Sequence, residues 1–334
     1  MITRRTLGAL AGAAALALAT ALPALADPVV IKFSHVVAPD TPKGKGAAKF
    51  KELAEQYTDG KVVVEVYPNS QLYKDKEELE ALQLGAVHML APSLAKFGPL
   101  GVQQFELFDL PMLFQDDAAL QKITQGPIGQ EMLGLLDDKG IKGLAYWDNG
   151  FKIMTANSPL QTPDDFMGLK MRIQSSKILE AQFQALDAVP QVLAFSEVYQ
   201  AMQTGVVDGS ENTPSNVYTQ KMHEVQKHAT LSDHGYIGYA VIVNKSFWDG
   251  LDPALREQLE RAMADATVYA NSISKDENNW AMDEIRKAGR TQIHELTPEE
   301  RAEWVEALFP VHKEMAGRIG QDLIDRTYKE LGLQ

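Results

Sequence analysis

The chain has 334 residues, with 32 Lys and Arg against 45 Asp and Glu and a formal net charge of −13. That balance disfavours nucleic acid and anionic membranes as partners, so any bound anion has to be held by a few convergent cations and not by the overall field. The absence of cysteine excludes a disulfide framework, a Cys-based metal site, a thiol nucleophile and a lipid anchor on an N-terminal cysteine.

Arg4 and Arg5 precede an Ala/Leu-rich run over 7–22, and Ala24-Leu25-Ala26 stands before Asp27. Residues 1–26 therefore read as a signal peptide with its cleavage site. The run is shorter than the roughly 20 residues a spanning helix needs, and Thr3-Arg4-Arg5 leaves general and twin-arginine export both open. The remaining stretch, about 300 residues, is too long for one small core and suggests two lobes.

Strand-like residues 29–33 are followed by Pro42 and a helical pattern carrying Ala47, Phe50 and Leu53, stopped by Gly60. Residues 62–66 form a second strand, 76–84 a helix ended by Gly85, and 88–91 a short buried strand. This alternation predicts an α/β fold with parallel pairing and ligands at the carboxyl ends of the strands. The pattern resumes with strands at 142–147 and 151–155, a strand at 169–173, a helix at 177–186, an edge-like strand at 189–192, a helix at 197–204 and a strand at 206–209.

Residues 239–244 are strongly β, and after Asp252-Pro253 a helical pattern runs to 287 with Leu255, Leu259, Ala262, Ala266, Tyr269, Ile273 and Trp280 on one face. Such a helix is long enough to tie two lobes together. The expected organisation is lobe 1 over 27–148, lobe 2 over 149–238, a return to lobe 1 over 239–252, the long helix over 253–287 and a C-terminal helical segment over 288–334.

Catalytic motifs are missing. No Gly-x-Ser-x-Gly occurs, and Gly44-Lys45-Gly46 has Lys49 where a dinucleotide loop needs its third glycine. His223-Glu224 and His228 are spaced five apart instead of four, which favours a solvated helix or loop over a zinc helix. Asp164-Asp165 and Asp137-Asp138 read as caps or solvated turns. No metal and no cofactor is expected. What stands out is Arg172, a cation inside an otherwise apolar strand, which needs an anion or a protein carboxylate. Lys152 is a weaker case, tolerable on a solvated edge, and Asn212 either donates to a ligand or shapes a turn.

Around these residues stand several longer blocks: Ile31-Lys32-Phe33-Ser34-His35, Tyr67-Pro68-Asn69-Ser70-Gln71-Leu72, Trp147-Asp148-Asn149-Gly150-Phe151-Lys152, Lys170-Met171-Arg172, the run from Phe195 to Gly209, and Glu211-Asn212. In them the chain resembles the solute receptors of tripartite ATP-independent periplasmic (TRAP) transporters, most closely those for four-carbon dicarboxylates. The resemblance implies a two-lobe periplasmic binding protein that closes like a clamp, spanned by one long helix. It also implies a periplasmic location, no reaction and no cofactor, a small organic dicarboxylate (malate, succinate or fumarate) as ligand, and integral membrane subunits as partners.

By the same resemblance Arg172 is the carboxylate clamp, whose planar fork suits two parallel charge-assisted bonds. Asn212 supports the bound carboxylate, Phe195 is an aromatic wall and His234 lines the same lobe. Lys152 stands where the sialic-acid receptors have a second arginine, which implies a single-point ammonium contact that weighs more for a dicarboxylate than for a monocarboxylate. His35 and Ser93 fall near the pocket in the first lobe, with Lys43, Tyr73 and Lys74 contributing to a second carboxylate site. Alternatives are a receptor of the same family for another acid, a receptor for an ATP-driven importer, or an exported hydrolase. The oligomeric state is left open.

Overall fold

The computed structural model describes residues 27–333, so the signal-like segment lies outside the described residues. Eleven strands form two sheets: β1 (Val29–Ser34), β2 (Val62–Tyr67), β3 (Met89–Leu90), β4 (Ile141–Phe151), β5 (Ile153–Ala156), β6 (Lys170–Ile173), β7 (Val189–Val192), β8 (Gly209–Asn212), β9 (His228–Leu231), β10 (Tyr236–Asn244) and β11 (Gln292–Glu295). The first sheet runs β2-β1-β3-β10-β4 and the second β11-β9-β5-β8-β6-β7.

The parallel pairing expected from the strand–helix alternation holds for β1 with β2 and β3, and for β6 with β7 and β8. It fails for β10, which is antiparallel to β3 and β4, and for β5, antiparallel to β8 and β9. The reason is that these strands lie on the connections between sheets. The chain leaves the first sheet with β4 and enters the second with β5 after the single residue Lys152, then returns between β9 and β10. The Lys152 N–H donates to the Gly235 carbonyl at 2.9 Å, so the two crossings are joined side by side. The expected division at residue 148 falls inside β4.

The third connection is the helix Pro253–Ala288, about 54 Å long at 1.5 Å per residue. Asp252 caps its start, accepting from the N–H groups of Ala254 and Leu255, and Gly289 ends it at φ 64°. Its inward face is narrower and smaller-grained than the spacing suggested. Leu259, Ala262, Met263, Ala266 and Ala270 pack on the first lobe and Met282 and Ile285 on the second, whereas Tyr269 and Trp280 are exposed. Small residues are needed because the helix Pro42–Tyr57 comes very close. A Cβ added at Gly46 would lie 2.9 Å from the Ala270 Cβ and 3.1 Å from Trp147.

Strand β8 was misplaced by sequence. Residues 206–208 form a turn after Gly205 (φ 72°), and the strand is Gly-Ser-Glu-Asn, buried along its whole length although three of its residues are polar. The helices Asp117–Thr124 and Pro127–Gly134 and the strands β9 and β11 were not anticipated. His223 is not solvated but buried, stacked on Tyr218 at 5.2 Å between ring centres. Asp165 does act as a cap, accepting from the N–H groups of Gln161 and Thr162.

The close approach of the two helices yields a paired expectation. Ala for Gly inside a helix normally gains about 0.5–1 kcal/mol. Gly134→Ala, with open space around the new methyl, should show that gain as a higher denaturant midpoint. Gly46→Ala should lower the midpoint, because the contact with Ala270 outweighs the backbone effect.

Candidate functional site

The two lobes meet over a narrow cleft of about 30 Å³, walled by Lys43, Asp75, Glu78, Ser93, Lys96, Ile237 and Tyr239 from the first lobe and by Arg172, Gln174, Phe195, Asn212 and Asn216 from the second. Room for about two waters means that the lobes are nearly shut. Contacts across the mouth agree: Lys74 pairs with Glu197 at 2.7 Å, and the Phe195 N–H donates to Asp75 Oδ1 at 3.1 Å.

Arg172 reaches the cleft from β6, in register between Gln191 and Ser210. Its side chain is buried. Nε and Nη2 both donate to the Leu193 carbonyl, at 3.1 and 2.9 Å. That grip fixes the guanidinium plane and leaves its other edge, Nη1 with the second hydrogen of Nη2, without a protein acceptor among the described residues. The guanidinium lies 5.9 Å from the centre of the Phe195 ring. A planar fork with two free N–H groups at a desolvated cleft is suited to a carboxylate.

Beside it, Asn212 ends β8. Its Oδ1 accepts from the Thr213 N–H at 2.9 Å and from Asn216 Nδ2 at 2.8 Å. Because a backbone N–H can only donate, the assignment of that oxygen is secure and the Asn212 amide NH₂ is left to donate elsewhere. Asn216 Oδ1 is buried without a partner.

The opposite wall is rich in buried charge. Lys43, in the first turn of Pro42–Tyr57, donates to the Ala91 carbonyl at 2.9 Å and sits 3.7 Å above the Tyr239 ring. Lys96 pairs with Asp75 at 2.6 Å, both nearly inaccessible. Burial weighs on Asp75, but Lys96 and Arg172 hold its carboxyl below the usual range. Burial pulls the Lys43 ammonium down, against Glu78 and Asp75, and pushes the Glu78 carboxyl up, against Lys43.

Of the residues singled out from sequence, Arg172, Asn212, Phe195, Ser93 and Lys43 line this cleft. Five do not. Lys152 is fully buried behind it, its ammonium 2.6 Å from Glu211 Oε1, so neither a solvated edge nor a ligand contact describes it. His234 is bound to the same carboxylate: Nε2 donates to Glu211 Oε2 at 2.8 Å while Nδ1 accepts from the Ser232 hydroxyl at 2.7 Å. Gln182 completes the set at 2.9 Å. Burial opposes ionisation of Glu211, but Lys152 and His234 hold its carboxyl far below the ordinary range.

Lys74 is an exposed partner of Glu197 at the mouth, and Tyr73 packs against the first-lobe core. His35 is buried beside Lys43, and burial followed by that charge lowers it to about 3, so its ring is neutral. Sequence reasoning missed Asp75, Glu78, Lys96, Gln174, Asn216 and Tyr239. Lys96 alone carried a signal, a lysine inside the apolar run Leu94-Ala95-Lys96-Phe97.

Residues 33–318 match the profile of the family described as bacterial extracellular solute-binding protein, family 7. The chain belongs to this family. It is 72% identical over 324 residues, 97% of each chain, to the C4-dicarboxylate-binding periplasmic protein DctP of Rhodobacter capsulatus. Among solved structures it resembles a TRAP periplasmic solute binding protein from Shewanella oneidensis with bound succinate (TM-score 0.89, 43% identity, 91% of this chain and 99% of that one). It also resembles one from Pseudomonas aeruginosa with bound L-malate (TM-score 0.84, 44% identity, 86% and 100%). Family 7 proteins are transport receptors and not enzymes. The two-lobe fold expected of such a receptor is the fold observed.

The placement of Lys152 sets a stability expectation. Removing one partner of a buried ion pair strands the other, at a cost of about 3–5 kcal/mol. Lys152→Met should therefore lower the unfolding midpoint by that order in denaturant titration, and the loss should appear in protein without any ligand.

Proposed function

We propose that this family 7 receptor works in the periplasm, closes on one four-carbon dicarboxylate and delivers it to the membrane subunits of a TRAP transporter. The observation that carries this reading is the geometry of the cleft: the open edge of the Arg172 fork on one lobe faces a wall holding Lys43 and Lys96 on the other. A ligand with a carboxylate at each end satisfies both walls at once. A monocarboxylate satisfies one and leaves the lobes untied.

The relatives from Rhodobacter, Shewanella and Pseudomonas, with their dicarboxylate names and ligands, support the same reading. Export is supported by the signal-like segment 1–26, and no helix among the described residues is long and apolar enough to cross a membrane.

Ligand binding drives closure only by its differential affinity for the closed form, and it raises the melting temperature by mass action. A thermal-shift panel of mono- and dicarboxylates, sugar acids and amino acids, followed by calorimetry, tests the proposal. The upward shift is expected with malate, succinate or fumarate, and a shift confined to other acids would change the cargo. In the same assay Arg172→Lys should weaken succinate binding tenfold or more, since a lost charge-assisted bond is worth about 1.5–3 kcal/mol. Unchanged affinity in a folded variant would remove Arg172 from the clamp.

A further inference from the structure

The charges in the closed cleft do not balance once a dicarboxylate enters. Three buried cations, Arg172, Lys43 and Lys96, face two buried acids, Asp75 and Glu78. A dianionic ligand would leave one negative charge uncompensated in a space that excludes water. Buried groups in that position neutralise by taking a proton instead of remaining charged.

Asp75 is unsuited to accept it, because its carboxylate is held by the Lys96 ammonium at 2.6 Å and by the Phe195 N–H at 3.1 Å. Glu78 is held by neither kind of group. It is 1% exposed and lines the cleft, and burial and the charges of Lys43, Asp75 and Lys96 act on its carboxyl with no hydrogen bond to it among the described residues. The ammonium that acts on it most strongly, Lys43, is spent on the Ala91 carbonyl and the Tyr239 ring.

We propose, resting on the dicarboxylate reading above, that Glu78 takes up one proton from solution as the ligand binds and, as a neutral acid, donates its O–H to the bound ligand. The charged and titratable groups around it are Lys43 from the helix Pro42–Tyr57, Asp75 and Lys96 from the adjoining loops and Tyr239 from β10. Arg172 faces them across the cleft, and neutral His35 lies behind Lys43.

In the free protein burial pushes Glu78 up to about 7, with Lys43 opposing, and pulls Lys43 down to about 7, with Glu78 opposing, so above pH 7 Lys43 regains its own proton alongside Glu78 when an anion enters. The arriving anion pushes it higher still. Below pH 7 the acid is already protonated and binding takes up little. Above pH 7 it takes up close to one proton, and affinity falls about tenfold per pH unit until the pKa of the complex is reached.

Calorimetry of succinate binding at pH 8, in two buffers of different ionisation enthalpy, counts the protons directly. Uptake of one proton or more in the wild type, reduced by close to one in Glu78→Gln together with a shallower pH slope above 7, is the expected result. No uptake in the wild type, or uptake undiminished in Glu78→Gln, overturns the proposal. Should that variant not fold, difference infrared spectroscopy of the wild type at pH 8 with isotope-labelled succinate carries the test: a protonated protein carboxyl band that appears on binding supports Glu78, and its absence overturns the proposal. Binding without uptake refutes this inference alone, whereas no binding of succinate, malate or fumarate even at pH 6 refutes the dicarboxylate reading and this one with it.

Discussion

A single buried carboxylate, Glu211, links the parts of this molecule that must act together. It lies in β8, one residue before Asn212, which lines the cleft. Its oxygens are held by Lys152 from the first crossing between the lobes and by His234 from the second. The strand that carries the binding amide is thereby tied to both crossing segments, and the Lys152 N–H bond to Gly235 ties those to each other. Glu211 also counters the cost of burying Arg172, on the strand next to its own. A buried charge is tolerable only when it is paired and hydrogen-bonded, and this one meets that condition with three partners. The family-derived expectation that Lys152 and His234 touch ligand is replaced by a supporting role, because each has its polar atoms spent on Glu211 or Ser232.

This arrangement separates two kinds of electrostatics. Behind the binding face, the Glu211 carboxylate is satisfied by protein alone, through Lys152, His234 and Gln182. On the cleft face, Arg172 is half-satisfied, with Leu193 occupying one edge of its fork and the other edge lacking a protein acceptor. Fixing the plane in advance means that a ligand carboxylate meets an oriented fork and does not have to order it, which is where preorganisation gains affinity. The second wall is built differently. Its lysines already have carbonyl, aromatic or carboxylate partners, so an incoming anion has to share them with Asp75 and Glu78.

Arg172 was legible in sequence because a lone cation inside Met171-Arg172-Ile173 violates the apolar pattern, and the long helix was legible because its period persists for ten turns. Glu78 was not. It sits among Lys76, Glu77 and Glu80 in a segment that looks like any solvated helix face, and only the fold reveals that one of those acids turns inward. Strand β8 was hidden for the converse reason: Ser210, Glu211 and Asn212 are polar and carry no strand signal, and the partners of Glu211 (Lys152, Gln182 and His234) and of Asn212 (Thr213 and Asn216) are brought to them only by the fold. Tyr269 and Trp280 were placed on the packed face because they are apolar, but the close approach at Gly46 leaves room for a small residue such as Ala270 beside Tyr269, and Trp280 lies on the surface edge-on to Tyr218. Periodicity finds the face of a helix; it does not give the distance to its neighbour.

The net charge of the chain bears on how such a receptor can release what it holds. An acidic protein repels a dianion at long range, but at physiological ionic strength that field is screened within about 8 Å, so capture depends on the few cations inside the cleft. Those cations are split between the lobes, Arg172 on one and Lys43 and Lys96 on the other. Opening by a few ångströms therefore removes half of the attraction and readmits water to both halves. The direct ties across the mouth are few, and the Lys74–Glu197 pair is half-exposed, the kind of surface contact that adds little stability. The ligand bridging the two walls adds to the apolar contact of Val37 with Phe195 and Val198 in favouring the closed form. In the proposed handover, a membrane partner that binds the open form better has to compete with that bridge, with the Phe195–Asp75 bond and with the packing of Val37 on Phe195 and Val198.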